Sequence, residues 1–149
     1  MNTRKARLED VPTIQALINS YAEQGAMLPR SLSLIYENLR DFQVVEEEGQ
    51  LIGVGALHIL WDDLAELRAV AVKPPLGRGV GRFLIESLLA EAREIGFHRV
   101  FALTNQPGFF EKVGFQVISK EQLPHKVWKE CINCAKFPNC DEVALIREV

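Results

Sequence analysis

Cysteine is scarce in this chain, with three in 149 residues. A small odd set does not build a disulfide framework and suits a reducing compartment, so a cytoplasmic placement is expected. Long apolar runs are missing as well. No stretch approaches the roughly 20 apolar residues that cross a bilayer. Met1-Asn2-Thr3-Arg4-Lys5 leads straight into mixed charge, without the apolar core of a signal peptide. No membrane partner is therefore expected. There is no excess of one charge either: Lys and Arg number 17, Asp and Glu 20, and the net charge is -3. That balance argues against nucleic-acid binding through bulk charge. No internal repeat or low-complexity segment stands out, which excludes a solenoid.

What remains is 48% hydrophobic and 25% charged. Such a composition and length suit one globular domain over 1–149. Arg4–Arg7 reads as a short first strand. Asp10 and Pro12 start a helix whose stripe is Ile14, Leu17, Ile18 and Tyr21, and Gly25 ends it. A shorter helix follows near Leu32–Leu39, capped by Ser31 or Ser33. Phe42–Glu47 and Leu51–Leu60 flank Glu48-Gly49-Gln50, a hairpin signal, and Leu64–Val72 adds a third strand. Val80–Ile95 carries one apolar helical stripe closed by Gly96. Val100–Leu103 and Phe115–Ile118 read as strands around a short helix at Pro107–Val113, and Glu142–Glu148 reads as a last, edge strand. A meander followed by a strand–helix–strand crossover predicts an α/β fold: a mixed sheet with helices on its faces.

The chemistry gathers where the strand Ala69-Val70-Ala71-Val72 runs into Lys73-Pro74-Pro75-Leu76-Gly77-Arg78-Gly79-Val80-Gly81 and the long helix. Glycines at 77, 79 and 81 can bring bare backbone N–H groups close to a ligand. They feed a helix N-terminus, whose unpaired N–H groups and dipole favour an anion such as a diphosphate. A tight turn with no ligand is the plainer alternative. The spacing is neither that of a Walker A loop nor the dinucleotide pattern.

This segment, V-A-V-K-P-P-L-G-R-G-V-G-R-F-L, resembles the cofactor motif of the GNAT N-acetyltransferases. Pro107-Gly108-Phe109-Phe110-Glu111-Lys112-Val113-Gly114-Phe115 resembles that family's helix and strand near the pantetheine arm. The resemblance implies a mostly antiparallel sheet with a V-shaped splay between its two central strands. It implies acetyl-CoA as co-substrate, held by Val70, Ala71, Val72, Gly77, Arg78, Gly79, Val80, Gly81, Arg82, Asn105, Phe109, Phe110 and Lys112. The chain departs from the pattern at Leu76, where the family usually has Arg or Gln, and at Phe110, where it often has a Tyr acid. Leu28-Pro29-Arg30-Ser31, Glu66-Leu67-Arg68, Leu123–Trp128 and Cys131–Glu142 are similar to the amino-acid N-acetyltransferases, in particular the acetyltransferase half of N-acetylglutamate synthases. Longer members carry a kinase-like domain that 149 residues do not accommodate. The implied activity is acetyl transfer to the α-amine of an amino acid, L-glutamate foremost, in arginine biosynthesis.

Acyl transfer from a thioester to an amine needs a base for the amine, donors for the oxyanion and a departing thiolate. Glu66 is the candidate base; the alternative is a surface glutamate paired with Arg68. His58 on the neighbouring strand is the second candidate. Asn105 is a candidate for contact with cofactor or thiolate, or else a cap for the helix at Pro107. Two substrate carboxylates call for fixed cations, and Arg30, Arg68 and Lys126 are the candidates. Cys131-x-x-Cys134 with Cys140 is half of a zinc pattern; free thiols in a tail over about 120–141, packed on the domain, is the plainer reading, and no metal is expected. The expected partner is a small-molecule amino acid. A homodimer is compatible with the sequence, which does not speak to it. Two other readings stay open: an acetyltransferase for another small amine or a protein N-terminus, and a non-catalytic acyl-CoA-binding domain.

Overall fold

A computed structural model describes residues 1–25, 27–123 and 142–149. Its strands are β1 (Asn2–Lys5), β2 (Phe42–Glu47), β3 (Gln50–Trp61), β4 (Leu64–Val72), β5 (Arg99–Thr104), β6 (Gln116–Ile118) and β7 (Val143–Glu148). Its helices are α1 (Val11–Glu23), α2 (Leu32–Glu37), α3 (Val80–Ile95) and α4 (Pro107–Lys112). Among the described residues the strands form one sheet in the order β1-β2-β3-β4-β5-β7-β6. β4 and β5 are parallel, and the other neighbours are antiparallel.

The hydrophobic stripes predict which face each helix covers. Leu84, Ile85, Leu88, Leu89 and Ala92 of α3 are fully buried against Leu57, Leu67, Val100 and Leu145. Val11, Ile14 and Ile18 of α1 and Ile35 of α2 cover the opposite face, over Phe42, Val44 and Val54. α3 comes down close because β3 has glycine beneath it. A Cβ on Gly55 would lie 3.0 Å from Leu88 Cδ1 and 3.2 Å from Leu84 Cδ2.

Two expectations are corrected. The first strand is Asn2–Lys5, because Arg7 instead precedes a 3-10 turn at Leu8–Asp10. The last strand is not an edge. β7 lies between β5 and β6, with Ala144 and Leu145 fully buried, and the three-residue β6 is the edge on that side. Charged Arg147 and Glu148 make the segment look peripheral, yet they only end a strand that is paired on both sides.

The β1 end is held by an ion pair that makes stability depend on pH. Arg4 donates to Asp10 at 2.7 and 3.0 Å and to Glu46 at 3.0 Å. The Arg4 hydrogen bonds, and next the Arg7 backbone N–H, hold the Asp10 carboxyl below its ordinary value of 3.8 despite its burial. A depressed folded value stabilises the protein above the unfolded value, and the contribution is lost as pH falls through the folded one. Urea unfolding should therefore show wild type more stable than Asp10→Asn by a constant margin near neutrality. Below about pH 4 the margin should shrink.

Candidate active site

The parallel ladder between β4 and β5 is short. It pairs Glu66 with Phe101 and Leu67 with Ala102, and then it stops. Beyond Leu67 the two strands part toward Val72 and Thr104. The edge of β4 that faces β5 then has backbone donors and acceptors without a strand partner, and such groups need other partners. This is the V-shaped splay expected above.

A cleft of about 1050 Å³ opens at the splay. Its walls include Val70 and Val72 of β4, the loop Gly77-Arg78-Gly79, and Val80, Gly81 and Arg82 at the start of α3. Phe109, Phe110 and Lys112 of α4 close it. Eleven of the thirteen cofactor candidates thus gather in one cleft. Ala71 is 1% exposed and turns its methyl into the α1-side core. Asn105 is not a wall residue; it stands beside the cleft, one residue past Thr104, which is one.

The three alternating glycines have two different causes. Gly77 and Gly79 have φ of +88° and +80°, with no atom near enough to hinder a Cβ. They are glycine because the backbone is left-handed there. Gly79 is also the N-cap of α3, so Val80, Gly81 and Arg82 present N–H groups without a helical partner. Gly81 instead lies under a ring: its Cβ would come within 2.7 Å of Phe109 Cζ. Arg82 donates to the Lys112 carbonyl at 2.5 Å, which ties α3 to α4 at the same point. Arg78 is half-exposed and pairs with Glu47 at 2.7 Å, and this partner holds the Glu47 carboxyl below its ordinary value. Leu76, 66% exposed, offers no charge at the mouth. Phe110 stacks edge-on between Phe109 and Phe115, at 5.5 and 5.3 Å, and is a wall rather than an acid.

Sequence reasoning missed a bulge that organises both sides of β4. Val54 pairs with Ala71 and Ala56 with Arg68, so Gly55 stands opposite both Ala69 and Val70. Ala69 takes φ of +53° to achieve this, an uncommon value for alanine. The extra residue reverses the alternation. Before it, Ala65 and Leu67 join the α3-side core, so Glu66 and Arg68 face the α1 side. After it, Val70 and Val72 pack on the α3 side and Ala71 on the α1 side. One strand thus presents the acceptor candidates Glu66 and Arg68 on one face and the cleft-lining Val70 and Val72 on the other, on either side of the bulge. No glycine or asparagine marks Ala69 in the sequence.

Glu66 is 7% exposed, and Arg68 Nε donates to its Oε1 at 2.5 Å. The pairing with Arg68 is present, but the glutamate is buried rather than on the surface. His58 lies opposite Glu66 on β3 and bonds through Nδ1 to Asp41 Oδ2 at 2.6 Å. Arg30 sits in the loop before α2. Its backbone is pinned to α1: its N–H donates to Asn19 Oδ1 at 3.1 Å, and its carbonyl accepts from Gln15 Nε2 at 3.2 Å. Asn105 does not cap α4. The N-cap is Gln106, whose N–H goes to Thr104 Oγ1 at 2.9 Å. Asn105 Nδ2 donates to the Gly25 carbonyl at 3.2 Å, and its buried Oδ1 has no partner. Lys126, His125 and the three cysteines lie outside the described residues. Among the described residues no three His, Cys, Asp or Glu side chains gather as metal ligands, and no helix is long and apolar enough to cross a membrane.

Tyr21 was also missed. Its hydroxyl donates to the Val72 carbonyl at 2.5 Å, on the wall of the cleft. In the sequence it reads only as the last member of an apolar stripe. A hydroxyl on the flank of that stripe was the available signal.

A splayed sheet, a left-handed glycine loop opening a long helix, and a buried carboxylate beside the splay define a coenzyme-A-dependent acyltransferase. Residues 11–115 match the acetyltransferase (GNAT) family. An uncharacterised N-acetyltransferase of Chlorobaculum tepidum is 41% identical over 97% of this chain and 94% of its own. The amino-acid acetyltransferase of Mycobacterium tuberculosis is 40% identical over 85% of this chain and 75% of its own. The N-acetylglutamate synthase of Neisseria gonorrhoeae, solved with coenzyme A and N-acetyl-glutamate, superposes with a TM-score of 0.90 at 32% identity. That match covers 99% of this chain but 34% of the synthase. The chain belongs to the GNAT family, and it is an acetyl-CoA-dependent N-acetyltransferase.

Proposed function

We propose that the chain transfers acetyl from acetyl-CoA to the α-amine of an amino acid, L-glutamate foremost, by direct attack within a ternary complex. The observation that carries this is the bulge at Ala69, which sets a buried carboxylate and an arginine on one face of β4 and the cofactor cleft on the other. The likeness to the synthase solved with N-acetyl-glutamate supports the acceptor, and that product suits a first step toward arginine. A small acceptor also fits the α1–α2 loop, pinned through the Arg30 backbone close to α1.

Acetyl-CoA lies with its diphosphate over Gly77–Gly81, where helix N–H groups meet it, and its arm runs along the open edge of β4. Glu66 removes a proton from the acceptor ammonium. The neutral amine attacks the thioester carbonyl, and unpaired β4 N–H groups stabilise the oxyanion. The C–N bond forms, the C–S bond breaks, and coenzyme A leaves as thiolate without an acid from Phe110. Arg30 and Arg68, together with Lys126, receive the two carboxylates.

A thiol-release assay against a panel of amino acids tests the acceptor. Glutamate should exceed glutamine in kcat/KM by about 30-fold or more, because glutamine lacks the side-chain charge that hydrogen-bonds a site cation, and losing one charge of such a pair costs roughly 2 kcal/mol upward. Arg30→Ala should raise the KM for glutamate and leave that for acetyl-CoA alone. Equal rates with glutamine would remove glutamate as the acceptor.

A further inference from the structure

A buried carboxylate that takes a proton at each turnover has to return it to solvent before the next. The neighbours of Glu66 on its face restrict the route. Along β4 they are Leu64 and Arg68. Leu64 has no titratable group, and a guanidinium does not accept a proton. Across the parallel ladder stands Phe101, 2% exposed and equally inert. Across the antiparallel ladder stands His58. Side chains directly opposed in such a pair have Cβ atoms about 4.5–5.5 Å apart. Of these four neighbours, His58 alone can accept a proton and release it.

His58 is also oriented. Its Nδ1 lies 2.6 Å from Asp41 Oδ2, and Asp41 ends the 3-10 turn that leads into β2. A hydrogen bond from Nδ1–H to a carboxylate fixes the ring and leaves Nε2 as the basic nitrogen, directed away from that carboxylate. Exposure differs across the group. The side chains of His58 and Asp41 are 24% and 25% exposed, and that of Glu66 is 9% exposed. The dyad therefore reaches water where the glutamate does not.

We propose that Asp41 and His58 form the proton exit of the acceptor site. Asp41 orients the imidazole, and His58 carries to solvent the proton that Glu66 takes from the acceptor ammonium. The inference rests on the reading of Glu66 as the base. The proton leaves the ammonium for the Glu66 carboxylate, passes to His58 Nε2, and departs to water as the ring returns to its neutral form. No bond to carbon is made or broken in this relay. Both act through Glu66 in this relay and are positioning residues. Asp41 bonds His58 from the turn, Glu66 stands opposite it on β4, and Arg68, opposite Ala56, is the next charged group along β4 on that face.

The test uses the full chain with acetyl-CoA and its best acceptor from the amino-acid panel. His58→Ala should lower kcat by about 10- to 100-fold, with the KM for acetyl-CoA within about twofold. Added imidazole should restore kcat in proportion to its concentration, which a purely structural histidine would not show. Asp41→Asn, close in shape, carries the test if His58→Ala does not fold. It should lower kcat severalfold with an unchanged melting temperature. Wild-type kcat in both variants from about pH 6 to pH 9 would overturn the proposal, as would a loss in His58→Ala that imidazole leaves unrepaired. Glu66→Gln, run alongside, separates the two readings. An inactive Glu66→Gln with a normal His58→Ala sinks only the exit, whereas an active Glu66→Gln sinks the base and the exit together.

Discussion

Glu66→Gln is expected to lower kcat by about 10²–10⁴-fold and to leave the KM for acetyl-CoA within about twofold. The substitution keeps size and hydrogen-bonding reach but removes the proton acceptor. Position is what makes the effect large. Glu66 is buried, belongs to the last register pair but one before β4 and β5 separate, and faces the side away from the cofactor valines. A different role would look different. If Glu66 only balanced Arg68, the variant would leave a half-buried arginine without this carboxylate. Breaking a buried pair costs roughly 3–5 kcal/mol, so the melting temperature would fall while kcat per folded molecule stayed level. Single-turnover rates measured with urea unfolding on the same sample separate the two outcomes.

Gly79→Val is expected to weaken acetyl-CoA binding by well over tenfold. Space is not the obstacle, since no atom lies within 4 Å of the added Cβ. The backbone is: φ of +80° is an outlier conformation for a β-branched residue. Relaxing it rotates the first peptide units of α3, the N–H groups that would meet the diphosphate. Arg78→Ala should weaken binding by less than about tenfold, because an exposed charge contact is screened and Arg78 already pairs with Glu47. Isothermal titration with acetyl-CoA gives both values. Equal losses would mean that a side chain, not the backbone, holds the phosphates.

Local signals made much of this molecule legible. The β2 and β4 boundaries and the α3 stripe with its glycine cap follow from periodicity and turn chemistry, and they match the structure. The resemblance, not local pattern, brought the glycine loop and α4 to one cofactor, and both line the cleft. What escaped depends on contacts between distant residues. The place of β7 between β5 and β6 is a matter of strand order, which its own residues do not encode. The bulge at Ala69 arises from how β4 matches β3 around Gly55, and alanine gives no sign of it. Gly81 reads like its two neighbours until Phe109 is seen above it. Asp41 carries no local signal in the sequence. Only the hairpin register brings it to His58, and His58 to Glu66.

The central claim is direct transfer from acetyl-CoA in the splayed cleft to glutamate held on the other face of β4. Initial velocities over a grid of acetyl-CoA and glutamate concentrations test it most directly, with the product and the protein both weighed by mass spectrometry. Because both substrates must be bound together, the double-reciprocal lines should intersect, N-acetylglutamate should be the product, and the protein mass should not change. Parallel lines with an acetylated protein would place the acetyl group on the enzyme first and contradict the account.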